Sequence, residues 1–178
     1  MLQRYMPTMG NLLKIVGLCL TLTLWSVRSL AIDTTEIRKQ ILKVAKEIAK
    51  YKTVDNKAIG FAGLTSEQYK RFYFLTQQAT DNELLALVEH ENPKVRAYAF
   101  WALAKRQYKD IKSVLDRHMD DTASFEFFSG CIQGTQRVNY FTLDVLTPDN
   151  VDAFCYKLTR QEVFNYYDKM KAATKATN

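Results

Sequence analysis

The 178-residue chain predicts an all-α protein built as a short stack of antiparallel helix pairs. Three observations carry that prediction. Apolar residues recur three and four positions apart in successive segments, the period of a helix with one buried face. Ser, Thr, Asn and Asp stand where those stripes begin, as helix caps do. Only six glycines and three prolines punctuate the chain, too few for a protein of many short strands and turns.

The N-terminus is set apart first. Residues 1–31 read as a secretory signal peptide: Arg4 and Lys14 supply the positive opening, Ile15 to Trp25 an apolar or hydroxyl-bearing run, and Ser29-Leu30-Ala31 the small residues of a cleavage site. The run falls short of the roughly 20 apolar residues of a membrane span. Arg28 beside the cut keeps an uncleaved anchor open as the alternative, and a membrane is expected as a partner only through such an uncleaved signal. Leu18 occupies a position where a lipoprotein signal needs a small residue, which argues against a lipid on Cys19. The expected location is therefore outside the cytoplasm, periplasmic or secreted. Arg4, Lys14 and Arg28 leave with the signal and no acidic residue does, so the net charge falls from +6 to 22 basic less 19 acidic residues, +3. That balance is too mild to call for a nucleic acid. The rest is expected to form one domain over 32–171, with a small, polar and flexible tail at 172–178.

The first helix is expected from about Thr34 to Tyr51. Ile37, Ile41, Val44 and Ile48 share one stripe, and Lys39, Lys43, Lys46 and Lys50 share another that reads as a solvated face. Lys52 to Gly63 breaks the helical period and reads as a loop, in which Gly60 and Gly63 lack the companions of a phosphate-binding motif. A second helix begins at Thr65 or Ser66, with Thr65 and Gln68 spaced as a capping box and Tyr69, Phe72, Tyr73 and Thr76 facing inward. A third opens at Asp81 or Asn82 and buries Leu84, Leu87 and Val88.

Asn92 then caps a fourth helix with Pro93 in its first turn, where the missing N–H is harmless. Val95, Ala99, Ala102 and Leu103 line one face, and Tyr98, Phe100 and Trp101 crowd the flanks among alanines. A helix apolar nearly all round needs packing neighbours on several sides. Leu84-Leu85-Ala86-Leu87-Val88, Asn92-Pro93-Lys94-Val95-Arg96, Ala99 and Ala102-Leu103 together resemble one HEAT repeat, over about residues 81–106. The resemblance implies a HEAT-like α-α superhelix that serves as a protein-binding scaffold. Asn92 stands where such repeats usually carry Asp, which weakens the expectation of an Asp–Arg ladder, although Arg96 can still bond a neighbouring carbonyl or carboxylate.

One repeat cannot bury its own faces. Ile111, Val114 and Leu115 followed by Phe128 and Cys131-Ile132 parallel it as a divergent second helix pair, with Cys131 in the place of Ala102 and therefore buried. Val138 to Leu146 is a short helix stopped at Thr147-Pro148. Thr159 and Glu162 form a capping box for a last helix, in which Val163, Tyr166, Tyr167 and Met170 share a stripe.

The chemistry-bearing residues are sparse. Cys131 and Cys155 are read as core thiols ahead of a disulfide. His90 and His118 fall at helix C-termini, where they complement the helix dipole. No compact metal-ligand spacing and no hydrolase, nucleotide or dinucleotide motif is present. The chain is therefore expected to be no enzyme, to need no cofactor or metal, and to bind another protein as an interaction or scaffold module. Phe125, Phe127, Tyr140, Phe141, Tyr156 and Tyr167 are the aromatic candidates for that contact. The alternative is a small envelope enzyme or enzyme inhibitor with a pocket near His118 and Cys131, flanked by Asp120 and Asp121.

Overall fold

The computed structural model describes residues 37–149 and 155–176; residues 1–31, expected as a signal peptide, lie outside them. In chain order the elements are α1 (Lys39–Lys50), β1 (Thr53–Ile59), α2 (Glu67–Gln78), α3 (Asp81–Val88), α4 (Pro93–Lys105), α5 (Ile111–Arg117), β2 (Ser124–Gly130), β3 (Ile132–Arg137), α6 (Val138–Val145) and α7 (Arg160–Ala176). The protein is thus mixed α and β, and the three-stranded sheet overturns the all-α expectation. Its order is β1-β2-β3, with β1 parallel to β2 and β2 antiparallel to β3.

The helices form where their local signals stand. α1 buries Ile41, Ala45 and Ile48 and leaves all four stripe lysines exposed. Ser66 caps α2 by accepting the Tyr69 N–H at 3.1 Å. The Thr80 hydroxyl and Glu83 carboxylate make a reciprocal capping box on α3. Asn92 caps α4 through the Lys94 N–H at 3.0 Å, with Pro93 in the first turn. Gln68 and Tyr73 depart from expectation: Gln68 is buried and bonds backbone carbonyls instead of closing a box, and Tyr73 is half exposed.

α4 is the centre of the core. Nine of its thirteen residues are buried, including Trp101 and the alanines around it. Phe72 of α2 stacks on Trp101 at 4.3 Å and on Tyr98 at 5.1 Å between ring centroids. α3 and α4 pair as consecutive helices over 81–105, but among the described residues no second helix pair follows them, so the structure does not clearly show a HEAT-like repeat. α5 forms, and its expected partner is instead β2 and the hairpin turn. Arg96 closes this junction with a two-pronged pair to Asp121 at 2.7 and 2.9 Å, and its remaining terminal nitrogen donates to the carbonyls of His90 and Glu91.

The sheet has a physical origin that helical periodicity hides. Phe125 and Phe127 alternate with Ser124, Glu126 and Phe128 at period two, and Gly130 with φ +55° leads the turn into β3. Cys131 therefore sits exposed at the turn, not in the core, whereas Cys155 is buried, and no disulfide joins them. β1 was expected as loop, and its outer edge is closed by helix side chains in place of another strand. The Tyr98 hydroxyl accepts the Asp55 N–H at 2.6 Å and donates to the Asp55 carbonyl at 2.9 Å. The Gln68 amide donates to the Thr53 carbonyl at 2.9 Å. These bonds satisfy backbone groups that an uncovered edge would leave unpaired.

α1 is bolted to α3 by Arg38 and Glu83. The Arg38 Nε and Nη2 donate to the two Glu83 oxygens at 2.8 Å each, and the N–H groups of Arg38 and Thr80 add two further bonds. Arg38 and these backbone donors hold the Glu83 carboxyl down at a pKa of about 2. The capping box of α7 forms as expected, with Tyr166 and Met170 buried. α7 continues to Ala176, past the residue 172 at which the polar tail was expected to begin.

Candidate functional site

The face of the sheet that packs toward α4 and α6 opens into a cleft of about 120 Å³. Strand alternation places Phe125, Phe127 and Ser129 on this face, and the register pairs Val54 with Phe127, which brings Val54 and Asn56 alongside. The antiparallel register sets Gln136 opposite Phe125. On α6, Phe141, Asp144 and Val145 stand three and four residues apart and reach the same space.

The floor is aromatic. Phe141 meets Trp101 edge-on at 5.9 Å and Phe125 at 5.4 Å, and Phe127 adds a wall. The rim is polar: the Asn56 amide donates to the Ser129 hydroxyl at 3.1 Å while its amide oxygen accepts the Lys57 N–H at 2.7 Å, and Gln136 and Asp144 add further acceptors. Asp55 borders the cleft from within β1. Its side chain is fully buried, one carboxylate oxygen takes the Thr53 hydroxyl at 2.5 Å, and the other has no hydrogen-bond partner. No Lys, Arg or His lines the cleft among the described residues. Burial raises the Tyr167 phenol above its ordinary range, and the charge of Asp144 adds to that shift. Tyr98, behind β1, is raised far more by burial and stays a neutral hydroxyl.

The six aromatic candidates separate on this geometry. Phe127 and Phe141 line the cleft, and Phe125 is core beneath it. Tyr140 and Tyr167 approach to 6.2 Å, and Tyr167 lines a second, shallower groove with Pro148, Arg160, Val163 and Phe164. Tyr156 is half-buried beneath the Lys112 ammonium, 6.0 Å from its ring centre. His118 is buried at the end of α5 with Nε2 3.1 Å from Glu89, whereas Cys131 stands exposed in the β2–β3 turn, past the seven residues of β2. Neither His118 nor Cys131 lines the cleft or the second groove. His90 Nδ1 accepts the Asn92 N–H at 3.0 Å. Among the described residues no three His, Cys, Asp or Glu side chains are grouped to hold a metal ion.

Asn56, Ser129, Gln136 and Asp144 carried no sequence signal as a group, since four separate elements contribute them. The alternation of Phe125, Phe127 and Ser129 is the one local pattern that points at the cleft. In comparisons with known proteins, the chain matches no family model and no curated protein.

Proposed function

We propose that the protein is a protein-binding module and that the cleft between the sheet and α6 receives a lysine or arginine side chain of its partner. The observation that carries this is the pairing of an aromatic floor with a polar rim that includes Asp144 and contains no basic residue. An aliphatic stem packs on Trp101, Phe127 and Phe141 while its cationic head meets the rim, an arrangement that combines hydrophobic contact, charge-assisted hydrogen bonds and cation–π attraction. Size supports one side chain over a cofactor: sites for drug-sized ligands occupy roughly 300–1,000 Å³, against about 120 Å³ here.

The test is a titration of the protein with Nα-acetyl-lysinamide, Nα-acetyl-argininamide and the uncharged Nα-acetyl-norleucinamide, followed by NMR. One amino acid buries little surface, so a dissociation constant on the order of 1 mM is expected for the cationic probes. The Trp101 indole and the Asn56 and Gln136 side-chain amides should shift together with the cations only, and Asp144→Asn should weaken the response about tenfold. Equal response to norleucinamide, or shifts confined to residues away from the cleft, overturns the proposal.

A further inference from the structure

At the C-terminal ends of β1 and β2, two chain reversals stand side by side. Gly60-Phe61-Ala62-Gly63 turns back so that Ile59 bridges Leu64, with both glycines at positive φ and the Gly63 N–H on the Gly60 carbonyl at 3.1 Å. Gly130-Cys131 turns β2 into β3. The Gly60 N–H donates to the Gly130 carbonyl at 2.7 Å and ties the two reversals together. Three glycines in the left-handed region thus hold backbone shapes that side-chain-bearing residues rarely adopt.

This device presents large apolar side chains to water. Phe61 is 102% exposed, Leu64 67% and Ile132 68%. Scattered exposed leucines need no explanation, but three large apolar groups on adjoining turns, one of them touched by nothing, mark a contact surface.

From this we infer that the tip docks on an anionic lipid bilayer, with Phe61, Leu64 and Ile132 entering the headgroup region. The geometry and charge favour a bilayer over a protein. A specific protein interface spreads about 800 Å² per partner over a fitted patch with a polar rim, whereas these side chains project singly from two turns. A bilayer accepts such projections without complementary shape, as it accepts the apolar side of an interfacial helix. Residues 57–66 and 129–134 contain no acidic residue, and their single charge is the exposed Lys57. The next residue in the chain, Glu67, is ion-paired with Lys70 at 2.6 Å, so anionic headgroups meet no unpaired carboxylate within 57–67 or 129–134 and one attractive ammonium.

The experiment uses the full chain with Cys19→Ser and a bimane label on the exposed Cys131; the buried Cys155 stays unlabelled in native protein. The protein is mixed with phosphatidylcholine vesicles, with and without phosphatidylglycerol. With the anionic lipid, bimane emission should move to the blue, become quenched by nitroxides at shallow acyl positions, and lose its access to aqueous iodide. The triple variant F61S/L64S/I132S should lose this signature, with the tip's partitioning reduced on the order of 100-fold or more. An unchanged thermal melt would show that its fold is intact. Lys57→Glu should weaken the response only where phosphatidylglycerol is present. A label still open to iodide on vesicles that carry the protein overturns the inference and assigns the attachment to the N-terminal segment. A label shielded without lipid, with the mass of a dimer, overturns it in favour of a second copy.

Discussion

α4 and the β2–β3 hairpin have the same number of residues in regular structure and hold their places by opposite means. Nine of thirteen residues are buried in α4, against Phe125 alone among the thirteen strand residues of the hairpin. α4 is positioned by apolar contact on every side, so its tolerance of change is set by packing density. The hairpin is positioned by ladder hydrogen bonds, by register and by the conformation of one turn, so its side chains are largely released from folding. The proposed binding cleft lies on the seam, with Trp101 given by the packed region and Ser129 and Gln136 by the free one. Rigid floor and adaptable rim therefore come from different physics.

The largest expected effect breaks the packed side. Trp101→Ala removes the ring stacked on Phe72 and leaves a void beside Phe141, so stability should fall by about 4 kcal/mol in urea unfolding. Phe128→Ala on the half-exposed hairpin face should change it by less than about 1 kcal/mol. Equal losses would show that the two regions are not held by different forces.

The next effect tests the electrostatic bolt between α1 and α3. Glu83→Ala deletes a buried carboxylate that accepts bonds from Arg38 and Thr80, and should cost about 3 kcal/mol at neutral pH. Its folded pKa of about 2 lies below the ordinary carboxylate value of 4.5. A depressed value of this kind stabilises the fold fully above pH 4.5, and the contribution is lost as pH falls toward 2. Wild type should therefore lose stability over that window more steeply than Glu83→Gln, a comparison read from urea midpoints at stepped pH. Parallel curves for the two proteins would remove Glu83 from the account.

The packed region was legible in the sequence for the reason that makes it rigid. Asn92, Pro93 and the Val95–Ala99–Ala102–Leu103 stripe are local signals, and each acts within a turn or two of itself. The same is true of the capping boxes at Thr80 and Thr159, although the first was found only in the structure. The strands were not legible because their partners are remote. Asp55 is held by Tyr98, 43 positions on, and Asn56 meets Ser129, 73 positions on. Phe128 and Cys131-Ile132 also fit a helical spacing, so the alternation of Phe125 and Phe127 competes with an apparent second repeat in the same stretch. Of the candidate site, Phe127 and Phe141 could be named as aromatics, but grouping Asn56, Gln136 and Asp144 around them requires the sheet register. No local pattern encodes that register.

Tyr98 joins the two regions, and its hydroxyl gives a smaller and more selective test. Tyr98→Phe keeps the ring stacked on Phe72 but strands the buried N–H and carbonyl of Asp55, so a loss of about 2 kcal/mol is expected. Hydrogen exchange should rise at Asp55 before it rises in α4. A uniform rise through both elements would mean that the sheet edge and the helix open as one unit.

The smallest effect separates two glycines of the hairpin. Gly130 holds φ +55°, and an added methyl group would meet no neighbour within 4 Å. Gly130→Ala should therefore destabilise by about 1 kcal/mol through backbone conformation alone. Gly134 has no such backbone constraint, and its new methyl group would sit 3.4 Å from the Phe127 ring, in ordinary contact distance. Gly134→Ala should be neutral or stabilise slightly, because the unfolded chain loses freedom while the cleft wall gains a contact. Thermal melts of the two variants should thus move by different amounts, with only Gly130→Ala falling clearly below wild type. If Gly134→Ala falls as far, the hairpin is packed as tightly as α4, and the division between a rigid floor and an adaptable rim fails at that point.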